Sequence, residues 1–177
     1  MTRIFLDATT LISLGTIGEL ELLANFTGDL VVLPVVQTEV TTEPARTNLD
    51  RFLDRDDVDA SDPAVHDRLE QAKQILEEST ENGDVHLIAA VLAYTADDRS
   101  IGIVSDDRRV RTTARGFGAT VTGTIGVIVR AVEEGRSPNE AHELVDRIDA
   151  QGLHMTGSLR QKAYTLINEA ADATSLE

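Results

Sequence analysis

The sequence contains no cysteine and no tryptophan, only two lysines, and six other aromatics, four Phe and two Tyr, among 177 residues. Each shortage excludes something. Without cysteine there is no disulfide scaffold, no thiolate metal site and no cysteine nucleophile. With so little aromatic bulk, the core must be built from Val, Ile, Leu and Ala. No apolar run approaches the ~20 residues that cross a bilayer, and the first residues do not read as a basic-then-apolar export signal. The expectation is a cytoplasmic protein with no membrane partner.

What is present is apolar and acidic. Hydrophobic residues make up 41% of the chain, enough for a real core, and the length suits one domain with a short appendage. Thirty-one Asp and Glu stand against 16 Lys and Arg, a formal net charge of -15. A high Asp content with almost no Lys reads as adaptation to a salt-rich (halophilic) cytoplasm, where self-repulsion is screened and an acidic surface keeps the protein soluble. The aliphatic content argues against disorder. The net charge alone does not exclude nucleic acid, because it says nothing of one local patch.

Strand-like and helix-like segments alternate. Ile4-Phe5-Leu6, Leu30 to Leu33, Ile101 to Val104 and Ala119 to Thr122 read as strands, with Val58 and Ala60 as an edge. Between them, helical spacing begins after Thr9-Thr10, resumes at Glu19 to Ala24, and continues in a helix from Pro34 that Pro44 should stop. A short helix is expected at Asn48 to Leu53, another after the Asp62-Pro63 start, one opened by Asp84 after Asn82-Gly83, one leading to Gly116, and one from Thr124 to Glu134. Ser137-Pro138-Asn139-Glu140 fits a capping box, and a last helix carries the stripe Leu159, Ala163, Leu166 and Ile167. Strands alternating with helices imply parallel crossovers and an α/β sandwich. Residues 136–177 read as a helical hairpin packed on a sheet domain of residues 1–135.

Open parallel sheets bind ligands beyond the carboxyl ends of their strands. Acidic residues collect there: Asp7 after the first strand, Glu39 in the helix after the second, Asp84 at a helix start, and Asp106 and Asp107 after the strand ending at Val104. Taken singly, Asp7, Asp84 and Asp106 also suit helix capping or the helix dipole. Glu39 shares a helical face with Val35 and Val36, and a carboxylate on a buried face needs a partner, a proton or a cation. Converging carboxylates with oxygen ligands only suit Mg²⁺ or Mn²⁺ better than zinc.

At these residues the sequence resembles the PIN domain family of metal-dependent ribonucleases. The resemblance rests on Phe5-Leu6-Asp7-Ala8-Thr9-Thr10-Leu11-Ile12, Pro34 to Val40, Gly83-Asp84 with Leu87-Ile88-Ala89-Ala90, and Ile103 to Arg109, in that order. Val121 to Val127 resembles the subgroup related to VapC toxins. The resemblance implies a three-layer α/β/α sandwich with a central parallel sheet in the order 3-2-1-4-5. It implies hydrolysis of RNA phosphodiesters by a Mg²⁺- or Mn²⁺-dependent endoribonuclease. The metal ligands carried over are Asp7, Glu39, Asp84 and the Asp106/Asp107 pair, with Asp7, Glu39, Asp84 and Asp107 as the catalytic set. The family often has Glu where this chain has Asp84. Its Thr-x-Asp pattern places Asp107 at the metal, while Asp106 ends the strand first, so both stand as candidates. Thr9 and Ser105 are expected to orient water or a ligand carboxylate.

Partners implied are RNA, a small antitoxin protein if the chain is the toxin of a toxin–antitoxin pair, and a second copy in a homodimer. Arg108, Arg109, Arg111 and Arg115 suit RNA phosphates and ion pairs with the acidic surface equally. His66, His86, His142 and His154 lack metal-site spacing. Two other readings stand beside the enzyme: a catalytically silent PIN-fold scaffold, which carboxylates ion-paired to arginine would favour, and a receiver or phosphatase-type domain, weakened because Thr9 rather than Asp follows Asp7 by two.

Overall fold

The computed structural model describes residues 1–152 and 155–175; His154 lies outside them. The described residues form β1 (Arg3–Leu6), α1 (Ala8–Thr16), β2 (Asp29–Val31), α2 (Pro34–Glu39), α3 (Ala45–Leu53), β3 (Val58–Asp59), α4 (Leu69–Leu76), α5 (Gly83–Ala96), β4 (Ile101–Val104), α6 (Arg108–Gly116), β5 (Thr120–Thr122), α7 (Thr124–Glu133), α8 (Pro138–Ala150) and α9 (Gly157–Thr174). The strands make one parallel sheet in the order β3-β2-β1-β4-β5, the expected order of a PIN-like α/β/α sandwich.

That order dictates the layers. Crossovers between parallel strands are right-handed. From β1 the chain steps one way to β2 and β3, then returns across β1 to β4 and β5. Reversing direction moves the connecting helices to the opposite face. Accordingly α1 packs with α3 and α7, while α5 packs with α4 and α6. The reversal puts the topological switch point between β1 and β4, and such sheets bind ligands beyond the carboxyl ends of the strands there.

The core is aliphatic, as the composition required. Leu6, Leu11, Leu14, Leu30, Ile88 and Ile103 are fully enclosed, and Phe5 and Phe52 are the aromatics among the largest buried side chains. β1 and β4 carry unbroken apolar runs because both faces of a parallel sheet are covered. No helix among the described residues is long and apolar enough to cross a membrane.

Several local expectations need correction. β2 ends at Val31 rather than Leu33: Val32 N–H still reaches the Asp59 carbonyl (2.9 Å), and Leu33 turns into the N-cap of α2. Pro44 does not end α2, which stops at Glu39; it precedes α3, which starts at Ala45. The Glu19 to Ala24 stretch is a 3-10 turn, Leu20–Asn25. The helix after Asp62 is split into a 3-10 segment, Pro63–Arg68, and α4. Asp84 does not open α5; Gly83 does, with the Asn82 side chain accepting from Val85 N–H (3.0 Å).

The Ser137/Glu140 capping box starts α8 as read. Ala141, Leu144, Val145 and Ile148 of α8 and Ala163 and Ile167 of α9 are buried, and both helices pack on α7. Arg147 donates to the Ile17 carbonyl (2.6 Å) and pairs with Glu19, tying α8 to the end of α1. Leu159 departs from the expected stripe: it is 40% exposed.

Candidate active site

Register builds the first contact. Leu6 pairs with Val104, so the residues that follow, Asp7 and Ser105, leave the sheet side by side. Asp7 N–H donates to the Val104 carbonyl (2.9 Å) and Ser105 N–H to that of Thr122 (3.0 Å), which holds both backbones to the ladder beyond its last formal pair. Asp7 occupies the N-cap position of α1, yet its carboxylate makes no cap hydrogen bond. The capping reading therefore fails for Asp7.

Instead, Asp7 Oδ2 accepts two hydroxyls, Thr9 Oγ1 at 2.7 Å and Ser105 Oγ at 2.6 Å. Each hydroxyl oxygen in turn accepts a backbone N–H, Thr9 from Asp106 (3.1 Å) and Ser105 from Asp107 (3.0 Å). With an N–H on each oxygen, both hydroxyl protons are committed to Asp7. Asp7 is only 2% exposed, and no hydrogen bond from the described residues reaches its Oδ1. The two hydroxyls lock one oxygen and leave the other without a hydrogen bond from the described residues.

Asp106 and Asp107 are neighbours in sequence with different duties. The Asp106 carboxylate accepts from Thr124 N–H (2.8 Å) and from the Thr124 hydroxyl. It thereby caps α7, whose own N-cap residue, Gly123, has no side chain to do so. Gly123 permits this approach, since a Cβ there would lie 2.6 Å from Asp106 Oδ1. Asp107, rather than Asp106, caps α6, accepting from Val110 N–H at 2.8 Å. The capping role expected of Asp106 at the helix just after it is corrected accordingly.

Glu39 ends α2 half-buried, and its Oε1 accepts from Gly83 N–H at 2.7 Å. This satisfies one of the amide donors left open at the start of α5. A Cβ on residue 83 would sit 2.4 Å from Glu39 Oε2, so only glycine lets the carboxylate come this close. Asp84 follows in the first turn of α5. Its proton affinity is raised, from the usual 3.8 to about 6, first by burial, then by the negative charges of Asp7 and Asp107, with Glu39 adding to them and Arg109 opposing. Arg109 stands 4.0 Å from Asp84 and is engaged by Glu78.

The structure thus places Asp7, Glu39 and Asp107 within electrostatic reach of Asp84 and turns Asp106 aside to Thr124. Among the described residues, no three acidic or imidazole side chains converge closely enough to enclose an ion. The chemistry of the donor set, carboxylate oxygens alone, fits a hard divalent cation. Two contributors escaped the sequence reading. Thr124 reads as a helix start within the Val121 to Val127 stretch but not as a partner of Asp106, 18 residues before it, and Glu78 lies 31 residues before the arginine it holds.

The family model described as a PIN domain matches residues 3–169 of the chain. A comparison with curated proteins finds no match.

Proposed function

The chain belongs to the PIN domain family, a nuclease fold whose members typically use divalent metals, and on that premise we propose that it is a Mg²⁺- or Mn²⁺-dependent endoribonuclease. The observation that carries this reading is the treatment of Asp7: buried, with one oxygen held by Thr9 and Ser105 and the other free, beside an Asp84 whose proton affinity is raised by burial and by its acidic neighbours.

Asp7, Asp84 and Asp107 are the direct ligands in this reading, with Glu39 completing the set through its place on Gly83. Asp106 serves as the clamp on α7 rather than as a ligand. A bound divalent ion supplies Lewis acidity toward a phosphoryl oxygen and makes water a competent nucleophile near neutral pH. The protein's own part is positional. Thr9 and Ser105 fix the rotamer of Asp7, Gly83 N–H fixes that of Glu39, and Asp84 must shed its proton to take part. Arg109, next to Asp84, would have to leave Glu78 to meet a phosphate.

Ion pairing bears on the rival scaffold reading. Asp7, Glu39 and Asp107 have no arginine or lysine partner among the described residues, and Asp84 has only the 4.0 Å approach of Arg109. A silent scaffold has no reason to keep such charges uncompensated. The narrower roles, toxin of a toxin–antitoxin pair held by a small antitoxin, homodimer and cytoplasmic enzyme, rest on the resemblance of Val121 to Val127 and on composition. A neighbouring gene for a small DNA-binding protein and sedimentation of the purified chain test the first two. The enzymatic reading is tested by incubating mixed RNA with the protein in EDTA, then restoring Mn²⁺ or Mg²⁺. Cleavage that returns with metal and is absent in Asp7→Asn supports it; cleavage indifferent to EDTA, or equal in Asp7→Asn, overturns it.

A further inference from the structure

Beside the carboxylates, β5, α7 and α9 border a groove of about 500 Å³, within the ~300–1,000 Å³ of sites that hold small ligands. Its walls divide by chemistry. Val121, Ile125, Met155 and Leu166 give it an apolar floor, and Arg111 and Lys162 supply the cations. Leu159, one of few large apolar side chains left exposed, also lines it. Asp106 also lines it, its carboxylate already engaged by Thr124.

The cations here are unusual for this chain. Of its 16 Lys and Arg, ten form an ion pair with a carboxylate. The remaining six, Arg51, Arg68, Arg108, Arg111, Arg115 and Lys162, have no such partner among the described residues. Two of these six, Arg111 and Lys162, line the groove, and Arg108 and Arg115 stand on the same helix as Arg111. With 31 carboxylates in the chain, two cations without an ion-pair partner beside an apolar floor suit an anionic ligand with a flat apolar part. A nucleotide has both.

We propose that this groove is a nucleobase subsite, which takes one unstacked base of a single-stranded RNA against its apolar floor and the flanking phosphates on Arg111 and Lys162. The proposal rests on the ribonuclease reading and adds to it the place where one base of the bound strand is held. A base inside a duplex is paired and stacked and cannot reach the floor, whereas splayed bases of single strands can. Aliphatic and methionine side chains here replace the aromatic platforms of other single-strand binders, as a chain with 3% aromatics requires.

The test uses the full chain in EDTA and a hexaribonucleotide with a central 2-aminopurine, whose fluorescence rises when the base leaves its stack. Lys162→Gln and Leu159→Glu lie at exposed positions, so both variants should fold. Wild type should brighten the probe. Lys162→Gln should weaken binding several-fold and lower the slope of log K against log salt by about 0.7, the value of one phosphate contact on a single strand. Leu159→Glu should reduce the brightening, and the same sequence as duplex should compete poorly. Unchanged affinity and brightening in both variants, or equal competition by duplex, overturns the subsite. So does a change of sedimenting mass with RNA binding untouched, since the groove would then face a second copy. Adding Mn²⁺ separates the two readings. Binding that depends on Lys162 and Leu159 with no metal-dependent cleavage supports the groove and sinks the ribonuclease. Cleavage of the hexamer with unaltered KM in both variants leaves the ribonuclease and overturns the groove.

Discussion

Asp84→Asn should make the metal-free protein more stable at neutral pH. The carboxyl is pushed from 3.8 to about 6, chiefly by burial and by Asp7 and Asp107. A tenfold change in proton affinity is about 1.4 kcal/mol, so the shift corresponds to about 3 kcal/mol before screening. The side chain is 31% exposed, and solvent screening reduces that to about 1–2 kcal/mol. The sign follows from linkage. Between pH 3.8 and about 6 the folded protein holds a proton that the unfolded chain has released, so stability falls as pH rises through that window and stays low above it. Asparagine has nothing to ionise and escapes the penalty. For a chain of this length, 1 kcal/mol moves the melting temperature by about 2–4 °C. The assay is thermal unfolding of both proteins in EDTA, at one fixed salt concentration, from pH 4 to pH 8. Asp84→Asn should melt several degrees higher at pH 8, with the gap closing toward pH 4. Equal melting at pH 8, or a gap that survives at pH 4, would refute the electrostatic account. Saturating Mn²⁺ should invert the order, since an ion binding only the folded wild type adds about 2.7 kcal/mol at a hundredfold excess over Kd.

Other perturbations address the supports of the site. Ser105→Ala removes one of two hydroxyls from Asp7 and should weaken Mn²⁺ binding by about 10–100-fold, read by calorimetry. Gly83→Ala puts a Cβ 2.4 Å from Glu39 Oε2; the flexible Glu39 side chain can swing away at little cost in stability, so the expected effect is a displaced carboxylate and a smaller Mn²⁺-induced melting shift. Leu144→Asp places an unpaired charge at a position 2% exposed and should cost several kcal/mol. A lower melting point at unchanged sedimenting mass locates the contact within the chain, and dissociation to a smaller mass locates it between subunits.

Signals that are local and repeated were legible before the structure. The apolar runs of β1 and β4, Pro34 at the start of α2, and the Ser137/Glu140 box each act within a few residues, and the elements stand where those signals put them. The division between Asp106 and Asp107 was not legible. It depends on Thr124, 18 residues on, offering both a backbone and a hydroxyl donor to Asp106. Thr9 and Ser105 read as residues that orient a carboxylate, but that both would serve Asp7 and draw it from the helix cap was not legible, because Ser105 reaches it only through the register of β1 on β4. The 3-10 segments at Leu20 and Pro63 carry helix-compatible residues, and packing decides their tighter winding. Leu159 fits an apolar stripe by spacing alone; spacing does not say how far the neighbouring face extends, and here it stops short and leaves the groove.

The central claim, that the carboxylates at the β1/β4 switch point hold a divalent ion, is tested most directly by anomalous diffraction at the manganese edge from crystals grown with Mn²⁺. The expected result is a peak bonded to Asp7 Oδ1 and shared with Asp84 or Asp107, with Asp106 still on Thr124. Saturating Mn²⁺ with no peak at Asp7, or a peak held by Asp106 alone, would contradict the account.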